Sequence, residues 1–256
     1  MLNVDSATVT VILSIISFLA GFIDSIAGGG GLLMIPALLF AGIPPQTVLG
    51  TNKFAGTSGT IIALINFVRS KKVIWKVVFM GILFSLIGAF LGSKAILIFQ
   101  NDTVGKIIVF LLPLAMLITL VPKKERVGDE DLPVKGLQIK VSFICFSLGF
   151  YDGFFGPGTG SFLILVFYLW LGMDLVKASA TAKVFNLASC LSALIVFLID
   201  GKVIISLGIP LAIANIAGNY LGSALAIKRG ARIVKAFLII SLVILFISLL
   251  IKFYIA

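Results

Sequence analysis

The stretch Gly21–Gly31, GFIDSIAGGGG, ends one apolar run just before another begins, and it sets an aspartate and four consecutive glycines where a continuous membrane helix would be expected. Glycines let the backbone take positive φ and let a ligand come close to it. A helix starting after them aims its unpaired N–H groups and the positive end of its dipole into the turn, which favours an anion there. The stretch therefore reads as a break between two helices. It does not read as a nucleotide loop, because GGGG is neither GxGxxG after a strand nor a Walker motif with its lysine.

A second copy of the device lies downstream. GFYDGFFGPGTG, Gly149–Gly160, answers the opening stretch, with Pro157 removing one donor and Thr159 and Ser161 adding hydroxyls, so the two turns are not expected to be equivalent. Three further pairs keep one spacing of 130 residues: TNK at Thr51 with TAK at Thr181, LINFVRSKKVI at Leu64 with LIVFLIDGKVI at Leu194, and GAFLGS at Gly88 with GNYLGS at Gly218. Polar and glycine landmarks kept in order at constant spacing indicate an internal duplication. The glycine pairs Gly88/Gly92 and Gly218/Gly222 form GxxxG motifs and read as helix-packing faces.

Composition places these repeats in a membrane. The chain has 256 residues, 60% of them hydrophobic and 12% charged, about half the charge that the surface of a soluble domain needs. Its net charge of +10 does not point to nucleic acid, because the lysines and arginines lie mostly in short loops between apolar segments. The absence of histidine removes the usual zinc and haem ligands, and Cys145 and Cys190 stand singly in apolar runs, as packing residues would. Residues 8–27 are preceded by Asp5 and by no lysine or arginine, so they read as part of the mature fold and not as a signal peptide.

Apolar runs and their breaks give segments at 8–27, 32–41, 47–68, 73–98 and 103–121, then at 138–155, 160–172, 176–199, 203–227 and 232–254. The charged stretch PKKERVGDEDLPVKG, Pro122–Gly136, separates the halves as a solvated linker. The expected organisation is a first membrane repeat over 1–121, a cytoplasmic linker over 122–137 and a second membrane repeat over 138–256. Basic residues mark the loop at Arg69–Lys76, the linker, and the loop at Lys228–Lys235 as cytoplasmic. Placing all three on one side requires an odd number of crossings per half, which inverts the second repeat and puts both termini outside. The fold expected is thus all-α integral membrane, with two inverted-topology repeats, a broken helix or re-entrant hairpin in each, and roughly 8 to 10 membrane segments.

Matched interruptions in two halves point to a transporter's site at mid-membrane. In the first half the candidate substrate-binding residues are Gly28, Gly29, Gly30, Gly31, Thr51, Asn52 and Lys53; in the second they are Gly156, Gly158, Thr159, Gly160, Thr181, Lys183 and Asn186. Lys53 and Lys183 repeat in register, with Thr57, Ser58 and Thr60 on nearby turns of one helix and Asn186 and Ser189 on the other. Two positive charges, two half-helix N-termini and hydroxyls converging across a pseudo-two-fold axis would suit a small oxyanion. Asp24 and Asp152 are acids deep in apolar surroundings, where a carboxylate needs a partner or a proton. Three roles fit them: partner of a buried lysine or of free N–H groups at a helix break, proton carrier, or cation ligand.

At these residues the sequence resembles the sulfite exporter TauE/SafE family, also described as the four-toluene-sulfonate uptake permease group of predicted membrane transporters. The resemblance covers nearly the whole chain. It rests on G-x-x-D-x-x-x-G-G-G with its short following segment, on T-N-K, on D-G-x-x-G-P-G-T-G at Asp152–Gly160, and on T-A-K. It implies a multi-helix plasma-membrane permease moving sulfite, sulfonates or related organosulfur anions, generally outward. The function expected is a secondary transporter of small anions working by alternating access, with an anion channel as the nearest alternative. A non-transporting scaffold leaves the paired Asp and Lys unexplained, and an intramembrane enzyme lacks a histidine base. The expected partners are a small anionic substrate and the lipid bilayer, with no nucleic acid, no cofactor and no metal; these features do not specify an oligomeric state.

Overall fold

A computed structural model describes residues 6–119, 136–230 and 233. Among the described residues every regular element is an α-helix: α1 (Ser6–Ala27), α2 (Gly30–Phe40), α3 (Pro45–Arg69), α4 (Trp75–Leu97), α5 (Asn101–Thr119), α6 (Leu137–Phe154), α7 (Thr159–Trp170), α8 (Leu175–Ile199) and α9 (Ile205–Arg229). Each coincides with an expected apolar segment. The linker as far as residue 135, and the segment expected at 232–254 apart from Ile233, lie outside the described residues.

Local chemistry accounts for the boundaries. Pro45 stands in the first turn of α3, where its missing N–H costs nothing, and Asp174 caps α8 by accepting from the N–H groups of Val176 and Lys177. α4 and α9 begin differently. The N–H of Ile74, just before α4, donates to Thr181 Oγ1 at 3.0 Å, and the N–H of Ile204, just before α9, donates to Thr51 Oγ1 at 3.1 Å.

These two bonds fix how α3 and α8 lie. Thr51, near the start of α3, meets the chain just beyond the end of α8, and Thr181, near the start of α8, meets the chain just beyond the end of α3. The two helices pack against each other, so they run antiparallel. α4 and α8 run in the same direction, joined at their starts by Ile74 and Thr181 and near their ends by the Lys94–Asp200 ion pair at 3.8 Å.

The outer helices cross between the halves. α1 packs most closely on α9, and α4 on α6. A Cβ on Gly88 or Gly92 of α4 would run into the carbonyls of Phe146 and Phe150 on α6, and one on Gly218 or Gly222 of α9 into those of Phe18 and Phe22 on α1. Both GxxxG motifs are thus close-approach faces, the arrangement by which helices associate where lipid removes the hydrophobic drive. The opposite face of α4 shows Phe79, Leu83, Ile87 and Phe90 to the surroundings, while Ser85 and Ser93 point inward and are buried. A helix with its large apolar side chains outside and its hydroxyls inside is built for lipid.

Among the described residues four helices are long and apolar enough to cross a membrane, within 7–27, 75–97, 175–199 and 205–229. α2 and α7 have 11 and 12 residues; at 1.5 Å per residue they reach about 16–18 Å, little more than half the ~30 Å of a hydrocarbon core.

Candidate functional site between two helix breaks

The two breaks touch. Of the four consecutive glycines Gly28 alone takes positive φ, at 76°, and it does so where a side chain has no room: a Cβ there would overlap the backbone of Gly160 at the start of α7. The N–H of Ser161 donates to Gly28 O at 3.2 Å, and Ser161 Oγ donates to Ala27 O at 2.6 Å. Carbonyl groups freed where α1 ends are therefore satisfied by α7. The second break turns through Gly156 and Gly158, both with positive φ, and is held by Tyr151 Oη donating to Pro157 O at 2.7 Å and Thr159 Oγ1 donating to Gly156 O at 2.8 Å.

Each aspartate takes a lysine from the other half of the chain. Lys183 Nζ donates to Asp24 Oδ2 at 2.6 Å, and Lys53 Nζ lies 2.8 Å from Asp152 Oδ2. The surroundings of the two pairs differ. Asp24 Oδ1 also accepts the N–H of Gly30, the first residue of α2, at 3.3 Å, so a carboxylate of the protein sits on the positive end of that half-helix. Asp152 Oδ2 accepts from Ser189 Oγ at 2.6 Å and from Cys190 Sγ at 3.5 Å, while Lys53 Nζ reaches Cys190 Sγ at 3.6 Å. The Asp24 side chain is 18% exposed and that of Asp152 2%. Both pairs border one cavity, with Asp24 the most open of the four side chains and the Lys53–Asp152 pair almost wholly enclosed.

The cavity has a volume of about 50 Å3 and is lined by both breaks together with α3, α8 and α9. Of the expected site residues it brings together Gly28, Gly30, Gly31, Asn52, Lys53, Gly156, Gly158, Gly160 and Asn186, with Asp24 and Asp152. Gly29, Thr51, Thr159, Thr181 and Lys183 are not on its lining. Thr51 and Thr181 are fully buried, and their hydroxyls serve the helix starts described above; Thr159 holds the second turn, and Lys183 acts on the cavity through Asp24. Two free positive charges are not what the structure assembles, because each ammonium faces a carboxylate.

Five lining residues were not among the expected site residues, and three of them, Cys190, Asn215 and Thr60, carry a polar side chain. Cys190, expected to be a packing residue, bridges Lys53 and Asp152. Asn215 of α9 lines the cavity and is fixed by donating to Ser17 O at 3.0 Å, with Asn219 donating to Asn215 Oδ1 at 2.8 Å. Thr60 also reaches the cavity. Their sequence signal is periodic: Cys190 lies seven positions after Lys183 on one helix, two turns along the same face, and Asn219 lies four after Asn215.

Comparison with known proteins decides the class. The sequence profile of the family described as Sulfite exporter TauE/SafE matches residues 13–249. The chain belongs to the sulfite exporter TauE/SafE family. Among its relatives, a Sinorhizobium protein named probable membrane transporter protein ORF9 is 40% identical over 240 residues, covering 93% of this chain and 91% of the relative. YfcA of Escherichia coli, named a probable membrane transporter protein, is 36% identical over 231 residues, covering 90% of this chain and 85% of the relative. A probable membrane transporter protein of Haemophilus influenzae is 36% identical over 236 residues, covering 90% and 89%. No solved structure matches significantly. As a TauE/SafE member the chain is a membrane-embedded transporter of a small substrate and not an enzyme.

Proposed function

We propose that this TauE/SafE protein is a secondary transporter of small anions, sulfite, a small sulfonate or a related organosulfur anion, and that it binds them in the cavity between the two helix breaks. The observation that carries this reading is the convergence on one cavity of Lys53, the N-terminal end of α2, the amide side chains of Asn52 and Asn186, and glycine backbone from both breaks. Such donors match the oxygens of a small anion. The volume of about 50 Å3 suits a few heavy atoms and is far below the ~300–1000 Å3 of sites for drug-sized ligands.

Alternating access follows from the architecture we assign: two inverted repeats, 1–121 and 138–256, joined by a cytoplasmic linker over 122–137, in the plasma membrane with both termini outside. Its support is directional. The corresponding helices α3 and α8 run antiparallel, each corresponding aspartate takes the lysine of the other half, and α1 on α9 answers α4 on α6. A site formed jointly by two such halves opens to one side or the other as they rock.

The test is uptake into proteoliposomes of labelled sulfite, methanesulfonate, acetate and 4-toluenesulfonate. Saturable uptake of one or more of the three small anions is expected, with loss of more than tenfold in Lys183→Met; no saturable uptake of any of them would refute the assignment.

A further inference from the structure

Two acids and two lysines meet at the site, and with both pairs charged their sum is zero. A monovalent anion added to that set would leave a buried negative charge at membrane depth, which is strongly disfavoured. Something must supply one positive charge with each anion, and the geometry narrows the supplier to one group. Asp152 also borders the cavity, but at 2% exposure its Oδ2 is held at once by Lys53, Ser189 and Cys190. Asp24 lines the cavity, and its two oxygens already occupy what an entering anion needs, the Lys183 ammonium and the first N–H of α2.

We infer that Asp24 is the proton-coupling residue: its carboxylate is a built-in occupant of the anion position, and one proton bound there lets one monovalent anion replace it. This rests on the small-anion reading above. The step balances without any further reactant. A proton from water on the open side bonds to Asp24 Oδ2 and the contact from Lys183 Nζ to that oxygen opens. The anion then accepts from Lys183 Nζ and the Gly30 N–H. After the site has turned to the other side the anion leaves, the proton returns to water, and the carboxylate closes again on Lys183. One proton and one anion cross together, and no net charge moves.

No other group on the elements packed against α1 duplicates this role. From α3 comes Lys53, held by Asp152 of α6; from α8 come Lys183 and Cys190; α9 contributes Asn215; and α2 and α7 bring no charge to the cavity. Arg69, Lys177, Lys228 and Arg229, which those elements also carry, do not line it.

Methanesulfonate is the probe, since it stays a monoanion at every pH used and any pH effect then belongs to the protein. In wild-type proteoliposomes an acid-outside gradient is expected to accumulate it about tenfold per pH unit, with a proton entering per anion as read by an internal pH dye. A potassium diffusion potential at equal pH should drive no accumulation. In Asp24→Asn, accumulation driven by the pH gradient is expected to fall to about one. Accumulation driven by potential, or by neither force, would overturn the inference from the wild type alone, whatever the folding of the variant; so would an Asp24→Asn protein that still accumulates with the pH gradient. Absence of wild-type methanesulfonate counterflow would instead overturn the small-anion reading beneath it.

Discussion

At the residue scale the two ion pairs make opposite demands. Lys53 and Asp152 are both almost fully buried, so removing one leaves a charge buried without its partner, at a cost of about 3–5 kcal/mol, whereas replacing both by apolar groups is often tolerated. Lys53→Met is therefore expected to lower the thermal unfolding temperature in detergent, and adding Asp152→Leu to recover most of that loss; equal destabilisation by the single and double variants would contradict the pairing. That these four residues matter was legible in the sequence, because charge at membrane depth is costly and the positions repeat. Their partners were not, because an acid in an apolar run carries no mark of which lysine will face it. Cys190 was read as packing for a related reason: a thiol in an apolar helix looks like any small hydrophobe until its neighbours are placed.

At the element scale the sequence located the helices well, since several apolar runs end at a glycine that also ends the hydrogen-bonding pattern, as α1 does at Gly28, α2 at Gly42 and α9 at Gly230. It overstated the glycine tetrad. Positive φ is required at Gly28, whereas Gly30 and Gly31 are already helical and serve close approach: a Cβ on Gly30 would lie 2.8 Å from Asp24 Cβ, and one on Gly31 would lie 3.3 Å from Pro157 Cα. Comparison with Gly42, which has φ of 79° and open space around it, separates strain from contact. Gly42→Ala is expected to cost about 1–2 kcal/mol, the left-handed penalty alone. Gly28→Ala adds an overlap with the backbone of Gly160 and is expected to abolish uptake and sharply reduce the monodisperse fraction in size-exclusion chromatography. Equal behaviour of the two variants would remove the crossing of the breaks from the account.

For the whole molecule, inversion is the claim on which alternating access depends. Constant spacing is the sequence argument for duplication and the basic loops are the argument for direction; to these the structure adds that α3 and α8 run antiparallel, tied through Thr51 and Thr181 at opposite ends. Lys71 and Gly201 occupy corresponding loops, between α3 and α4 and between α8 and α9. In a cysteine-free background, Lys71→Cys is expected to react with a membrane-impermeant maleimide from the cytoplasmic side and Gly201→Cys from the outside; labelling of both from one side would exclude the inverted arrangement. The cavity's size makes a second whole-molecule statement. Methanesulfonate is expected to compete with labelled sulfite, and 4-toluenesulfonate to do so at least tenfold more weakly. The central claim, a small-anion site shared by two halves that rock, is tested most directly by counterflow. Proteoliposomes preloaded with unlabelled anion and diluted into labelled anion should show a transient internal excess above equilibrium, saturable and lost in Lys183→Met; a monotonic, non-saturating rise to equilibrium would contradict it and mark the protein as a channel.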